Sequence, residues 1–190
     1  MRYVVDRVLI ERDRIRQRVR ELGMALASDL QRELEAEGHV PEDHPNRIVL
    51  VPVLTGAMVF AADLVREMQL LLSIRLVAVS SYPGESTKSK GAKLRGALPT
   101  DLAGRHIVII DDILDSGQTL ALLRDAILEQ KPASLRSVML LRKDVPRDVD
   151  VEAEYSGFDI PDEFVVGYGL DYDGYYRNLP DIVALREAGG

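Results

Sequence analysis

The sequence predicts an α/β fold: a parallel sheet with helices on both faces. Two observations carry this expectation. Short apolar runs such as Ile48–Val53 and Ile107–Ile110 lack the apolar–polar alternation of a strand with one wet face, and strands buried on both faces belong to parallel sheets covered by helices. These runs also alternate with segments of helical periodicity, the order of βαβ units.

The elements follow in order. Ile15, Val19, Leu22, Leu26, Leu30 and Leu34 recur at three- and four-residue spacing, and Gly38 stands where the resulting amphipathic helix would stop. Between Gly38 and Asn46, Pro41 and Pro45 among charged residues mark a connection. IVLVPV (Ile48–Val53) reads as a strand that turns through Leu54-Thr55-Gly56 into a helix over AMVFAADLVREM. Further strands are expected at Ile74–Ser81, Ile107–Ile110 and Ser137–Leu141, with a helix over TLALLRDAILEQ after the second of these and a candidate fifth strand at Phe164–Gly169. At 190 residues and 46% hydrophobic content the chain fits one domain, 1–190. Its core is expected over about 48–142, with a small hood over 143–190 to which the N-terminal segment can contribute.

Composition excludes several functions. With 24 Lys+Arg against 31 Asp+Glu the net charge is −7, which repels a polyanion and argues against a nucleic-acid partner. The absence of cysteine removes disulfides, thiolate metal sites and a catalytic thiol. No signal peptide opens the chain and no apolar run nears the ~18 residues of a membrane span, so the expected address is the cytoplasm, with no membrane partner. No G-x-G-x-x-G or Walker-type element occurs.

In open parallel sheets ligands bind where strands end and helices begin, so the loops after Val53, after Ile110 and near Gly169 should share one crevice. The stretch HIVIIDDILDSGQTL (His106–Leu120) lies on that rim. Ser116, Gly117, Gln118 and Thr119 lead into an apolar helix, where hydroxyls and free amides attract a phosphate. Taken alone, Ser116 and Thr119 are better explained as helix caps. Asp111, Asp112 and Asp115 add a second demand, because carboxylates at a strand end are costly without partners. Phosphate oxygens cannot be those partners, whereas hydroxyl groups and Mg²⁺ can. A phosphorylated ribose bearing pyrophosphate supplies all of these groups.

The apolar strand, paired acids and ILDSGxT resemble the signature of the type I phosphoribosyltransferase family. LTG after the first strand, SSY at Ser80–Tyr82, LLRK at Leu140–Lys143 and GFDIPDEFVVGYGLDYDGYYRNLP at Gly157–Pro180 extend the resemblance to its hypoxanthine-guanine branch, from about Ile48 onward. Members for adenine, orotate or uracil resemble the last segment poorly. The resemblance implies transfer of phosphoribose from phosphoribosyl pyrophosphate to N9 of a 6-oxopurine, hypoxanthine or guanine, releasing pyrophosphate, with Mg²⁺ as cofactor and a homo-oligomer, dimer or tetramer.

It also implies residue roles. Asp111 and Asp112 would hold the ribose hydroxyls, and Asp115, Ser116, Gly117, Gln118 and Thr119 would line the 5′-phosphate loop. Asp115 would face purine N7 as general base or proton partner. Leu54, Thr55, Gly56 and Arg177 would meet pyrophosphate. Ile113, Lys143, Phe164, Val165 and Asp171 would form the purine side, with Lys143 on the 6-oxo group, Phe164 stacking on the base and Val165 reading its edge through the backbone. Asp171, with Asp111 and Asp112, would serve the metal, and Ser81 and Tyr82 would close over the site. Singly, Lys143 reads as a surface lysine, Phe164 as core and Asp171 as a turn acid. Only the joint match to one segment changes those readings.

The polar, Gly-, Ser- and Lys-rich stretch Ser80–Gly104 is long for a loop inside a domain and reads as a lid, with a simple hairpin as the alternative. One departure stands out: the family commonly has Lys where this chain has Thr55. The amides of Gly56 and Ala57 are then expected to hold pyrophosphate, and the Leu54–Thr55 bond is expected to be cis.

Two other readings compete. DDILD fits the D-D-x-x-D of prenyl diphosphate synthases, but there the motif lies on a helix, which the preceding IVII and following SGQT contradict. A non-catalytic sensor of the same fold that binds RNA or DNA is disfavoured by the acidic charge and by retention of Asp115.

Overall fold

The structure, a computed structural model, describes residues 3–39, 46–81 and 92–187. The expected α/β architecture is present. The main sheet runs in the order β5(Ala92–Arg95), β4(Val77–Ser81), β2(Ile48–Leu54), β6(His106–Leu114), β7(Ser134–Lys143) and β8(Tyr155–Ile160), with β3(Ser73–Ile74) pairing β2. All neighbours are parallel except β4 and β5.

The helices α1(Arg12–Ala36), α2(Met58–Arg66) and α3(Gln118–Leu128) divide between the two faces. Side chains alternate along a strand, and here both sets are apolar. Ile48, Leu50, Val108 and Ile110 pack with α1 and α2, while Val49, Val51, Ile107 and Ile109 pack with α3. This two-sided burial is why the strands read as continuous apolar runs. Along α1, Ile15, Val19, Leu22, Leu26, Leu30 and Leu34 are all buried, each contributing about 1.5–3 kcal/mol of transfer free energy. Its first-turn amide at Arg12 donates to Asp181 Oδ1 at 2.8 Å, so a carboxylate 169 residues away caps the helix.

Five expectations need correcting. Phe164–Gly169 is not a strand of the parallel sheet. Only β9(Val165–Val166) is extended, and it joins β10(Ile182–Glu187) and β1(Tyr3–Ile10) in a separate antiparallel sheet ordered β1-β10-β9. Positive φ at Gly167, Tyr168 and Gly169 ends the strand. Ile74–Ser81 is broken at Arg75–Leu76, its two pieces pairing with different parts of β2. β6 does not stop at Ile110 but continues through the paired acids, with Asp111 opposite Met139 and Ile113 opposite Leu141. β7 likewise runs on to Lys143, placing that lysine at the strand's C-terminal end. The main sheet also extends past Arg142 in sequence, through β8.

Within the Ser80–Gly104 stretch, Tyr82 and the residues up to 91 lie outside the described residues, as do 40–45 of the first connection. The flanking strands β4 and β5 pair antiparallel, Ala78 opposite Arg95. Among the described residues no helix is long and apolar enough to cross a membrane.

Candidate active site

A cleft of about 710 Å³ opens beside the C-terminal ends of β2 and β6. Its walls bring together Leu54–Gly56, Asp111–Gly117, Thr119, Asp171 and Arg177. The loop after β2, the end of β6 and the segment following Gly169 therefore share one crevice, as the chain order of a parallel sheet requires.

Asp111 is 7% exposed and Asp112 is partly buried. Loss of hydration raises the pKa of Asp111 well above the ordinary carboxylate value, and the neighbouring charge of Asp112 adds to it. Desolvation raises Asp112 as well, against the opposing effect of hydrogen bonds and the positive charge of Arg177. Asp111 Oδ1 accepts from the Asp112 amide at 2.9 Å. Continuation of β6 through both residues is what holds two carboxyls in this dry position.

Gly56 explains how Asp112 fits. A Cβ at position 56 would overlap the Asp112 carboxylate, so the strand-to-helix turn must be bare there. Gly56→Ala is expected to leave the fold intact, since the methyl meets a side chain rather than backbone, but to cost about 1–3 kcal/mol of overpacking. It should also displace the Asp112 carboxyl. Thermal melting and phosphoribosyl pyrophosphate titration would check this, and unchanged ligand affinity would contradict the packing described.

The phosphate-like loop resolves the capping question. The residue before α3 is Gly117 at φ 81°, with no side-chain cap hydrogen bond, and Ser116 Oγ lies 3.5 Å from the Gln118 amide. Gly117 is required twice, by its left-handed backbone and because a Cβ would come within 2.8 Å of Val151 and 3.0 Å of the Val149 carbonyl. Among the described residues Ser116 thus reaches the first amide of α3 only through this long contact, and the N-cap position itself belongs to Gly117. The helix start faces the cleft with the partial positive charge that suits an anion.

On the neighbouring side, Lys143 Nζ lies 3.2 Å from Asp115 Oδ2 and 3.1 Å from Asp162 Oδ1, with 12% of its side chain exposed. Burial works against its charge, but the hydrogen bond it donates to Asp162 and the charge of Asp115 hold its pKa above the ordinary lysine value. Phe164 is 44% exposed and is not a core residue. Its ring stacks on Tyr3 at 5.7 Å and meets Tyr172 edge-on at 5.4 Å. Val165 is buried in β9 opposite Ala184. Ile113 lines the cleft itself.

The Leu54–Thr55 bond is cis. One expectation about its loop fails: the Ala57 amide donates to the Val53 carbonyl at 3.2 Å and so is not free for a ligand. Opposite this loop, Arg177 donates to the Gly169 carbonyl at 2.5 Å and pairs with Asp171 Oδ1 at 2.7 Å. Asp171 Oδ2 accepts from the Gly174 amide at 2.7 Å. Ser81 ends β4, and Tyr82 lies outside the described residues.

Sequence reasoning missed three residues here. Arg95 lines the cleft from β5, and Tyr3 and Tyr172 flank Phe164. Arg95 carried no local signal. The tyrosines could have been sought as partners for an exposed aromatic.

Paired acids at the end of β6, a glycine-started helix and an arginine across the cleft thus meet at the C-terminal edge of a parallel sheet. A model of the phosphoribosyl transferase domain matches residues 21–173. Over 189 residues the chain is 41% identical to the hypoxanthine-guanine phosphoribosyltransferase of Bacillus subtilis, covering 99% of this chain and 97% of that protein. It is 38% identical to the enzyme of the same name from Streptococcus pneumoniae, covering 96% and 94%. A solved hypoxanthine phosphoribosyl transferase of Trypanosoma cruzi superposes with a TM-score of 0.84 at 36% identity, covering 96% of this chain and 92% of that one. The chain belongs to the hypoxanthine-guanine phosphoribosyltransferase family.

Proposed function

We propose that the protein transfers the 5-phosphoribosyl group of phosphoribosyl pyrophosphate to N9 of hypoxanthine or guanine, giving IMP or GMP and pyrophosphate. One observation carries this reading: Asp111 and Asp112, desolvated at the end of β6, lie in the same cleft as the Gly117-started helix and Arg177. A diol, a phosphate and a pyrophosphate each find a suited partner. A cytoplasmic setting and a homo-oligomer, dimer or tetramer, belong to the same reading.

The reaction separates charge. As the bond from ribose to pyrophosphate breaks, positive charge builds on the sugar and negative charge on the leaving group, and fixed groups of opposite sign lower the barrier. Asp111 and Asp112 accept the ribose hydroxyls and sit against the sugar. The amides at the start of α3 and the Ser116 and Thr119 hydroxyls hold the 5′-phosphate. Arg177 and the Leu54–Gly56 turn meet the pyrophosphate, with Thr55 contributing no charge. On the base side, Lys143 donates to the 6-oxo group, Phe164 covers the ring, and the Val165 backbone reads its edge. Asp115 accepts the proton that the attacking base gives up at N7. The developing positive charge on the sugar also requires that water be kept from it.

The carboxylates suit Mg²⁺ only in part. Among the described residues no group of three or more His, Asp or Glu side chains comes together to hold a metal. The oxygens of Asp171, Asp111 and Asp112 fit instead a hard ion that keeps waters and takes its remaining ligands from the substrate. When bound, Mg²⁺ would supply positive charge at the pyrophosphate oxygens.

The decisive experiment incubates the protein with phosphoribosyl pyrophosphate, Mg²⁺ and hypoxanthine, guanine or adenine. IMP and GMP should form and AMP should not; absence of both oxopurine nucleotides would overturn the reading. Lys143→Ala is expected to raise the KM for hypoxanthine about tenfold or more, the loss of a charge-assisted hydrogen bond of about 1.5–3 kcal/mol. Its preference over adenine should shrink. Competition between the two bases in one reaction measures this, and an unaltered ratio would remove Lys143 from base selection.

A further inference from the structure

Tyr168 stands outside the cleft, yet three features of its surroundings bear on the cleft. It is 9% exposed and adopts φ 49° between Gly167 at 96° and Gly169 at 102°. Two of these left-handed positions fall to glycine at little cost, whereas a tyrosine there must be held by its surroundings. Its phenol donates to Asp63 Oδ2 on α2 at 2.6 Å. Burial first, and then the Asp63 carboxylate, push the phenol's pKa far above its ordinary value, so the hydroxyl stays a donor throughout the working range.

The residue after this anchor is Gly169, the point where the cleft wall is fastened. Its carbonyl accepts from Arg177 at 2.5 Å and its amide donates to the Arg177 carbonyl at 3.1 Å. Its α-carbon lies so close to the Leu54–Gly56 turn that a Cβ would come within 2.5 Å of the Gly56 carbonyl and 3.4 Å of Val59 on α2. The Tyr168 amide donates to the Leu179 carbonyl at 2.8 Å, closing the far side of the same loop. Arg177 thus hangs from a carbonyl whose backbone the buried Tyr168 ring and its hydroxyl tie to α2. The other end of α2 begins at the Gly56 turn.

We propose that Tyr168, through its hydrogen bond to Asp63, is a positioning residue that sets Arg177 and the Gly56 turn at the spacing of a bound pyrophosphate. The inference rests on the phosphoribosyltransferase reading for its ligand but not for its geometry. Neither Tyr168 nor Asp63 touches substrate. They act through Gly169 and α2, so their removal should weaken the pyrophosphate end of the site and leave the purine end, carried by Lys143 and Phe164, unaffected.

The test measures binding and turnover in parallel. Binding of inorganic pyrophosphate with Mg²⁺ is followed by calorimetry in the full chain, in Tyr168→Phe, in Asp63→Ala and in the double variant. Nucleotide formation gives the KM for phosphoribosyl pyrophosphate and for hypoxanthine. Tyr168→Phe should weaken pyrophosphate about tenfold, the effect of losing one hydrogen bond to a charged acceptor. The KM for phosphoribosyl pyrophosphate should rise with it and that for hypoxanthine should stay within about twofold. The double variant should be no worse than the weaker single one, because both remove the same bond.

Pyrophosphate affinity unchanged in both single variants, or an equal rise in both KM values, would overturn the inference while active wild-type protein upheld the reading. Wild-type protein that makes no nucleotide but binds pyrophosphate about tenfold better than Tyr168→Phe would have the opposite meaning. If Tyr168→Phe does not fold, Asp63→Ala decides, since Asp63 lies on the outer part of α2 with its partner Arg66 exposed beside it.

Discussion

Asp115→Asn is expected to lower turnover by about 10²–10⁴-fold, the usual contribution of a positioned proton-transfer group, with a much smaller change in KM. Asparagine keeps the size of the side chain and one oxygen, so contacts made by shape or by hydrogen-bond acceptance survive. It loses the capacity to take a proton. Asp115 is well placed to show this cleanly. Its side chain is 53% exposed, so the substitution opens no cavity, and it lies in the cleft at the end of β6, 3.2 Å from Lys143 Nζ. The lysine keeps Asp162 as a second partner at 3.1 Å and is not left buried without a counter-charge. A fall in turnover with nearly unchanged KM is the pattern of an interaction made only in the transition state. Single-turnover mixing of enzyme, phosphoribosyl pyrophosphate and hypoxanthine separates the chemical step from product release. A rate within a few-fold of wild type in that experiment would take the proton-transfer role away from Asp115.

Legibility of the fold varied with how local each signal was. The six apolar positions of α1 and the runs of β2 and β6 could be read because one element's period determines its buried face. β1 and β10 could not, because they pair residues such as Tyr3 and Glu187 from opposite ends of the chain. β1 also carries Asp6 and Arg7 at its centre, is exposed over four residues, and changes register after Val5 and after Val8. β8 hides for another reason. It contains Gly157, a poor strand former, which is needed because a Cβ would overlap the Leu140 carbonyl of β7. Phe164–Gly169 misled because apolar content reports burial, and burial here comes with a turn of positive φ rather than a strand.

At the site, chemistry was legible where neighbours in sequence are neighbours in space. Asp111 through Thr119 could be assembled from a strand end and a helix start. That the paired acids lie inside β6 was not legible, since carboxylates are disfavoured in strands. Their placement in the ladder is what desolvates them. Arg95 reaches the cleft from another element, and Tyr3 and Tyr172 come to Phe164 from distant parts of the chain, so only the tertiary structure shows these neighbours.

That desolvation gives the second large effect: Asp111→Asn should cost ligand binding and raise the stability of the ligand-free protein. Both carboxyls have pKa values raised by burial. A group whose folded pKa lies above its unfolded value binds protons more tightly in the folded state. Its stabilising contribution is complete below the unfolded pKa and is lost as pH rises through the folded one. The ligand-free protein should therefore lose melting temperature from this pair as pH rises above the ordinary carboxylate range. Asparagine removes the penalised charge while keeping an acceptor for the Asp112 amide, which should raise stability by about 1–2 kcal/mol at neutral pH, the scale seen when a strained functional group is replaced. For a chain of this size that is about 2–8 °C in melting temperature. The same substitution takes a charged acceptor from the ribose hydroxyls, worth about 1.5–3 kcal/mol per hydrogen bond, so affinity for phosphoribosyl pyrophosphate should fall about 10- to 150-fold. Melting curves across pH, with and without phosphoribosyl pyrophosphate and Mg²⁺, read both effects in one series. The ligand should stabilise wild type most where the pair is ionised and should barely shift the variant. If Asp111→Asn melted below wild type at neutral pH, the carboxyl would be a structural asset whose charge is already satisfied, and its reservation for a ribose would be refuted.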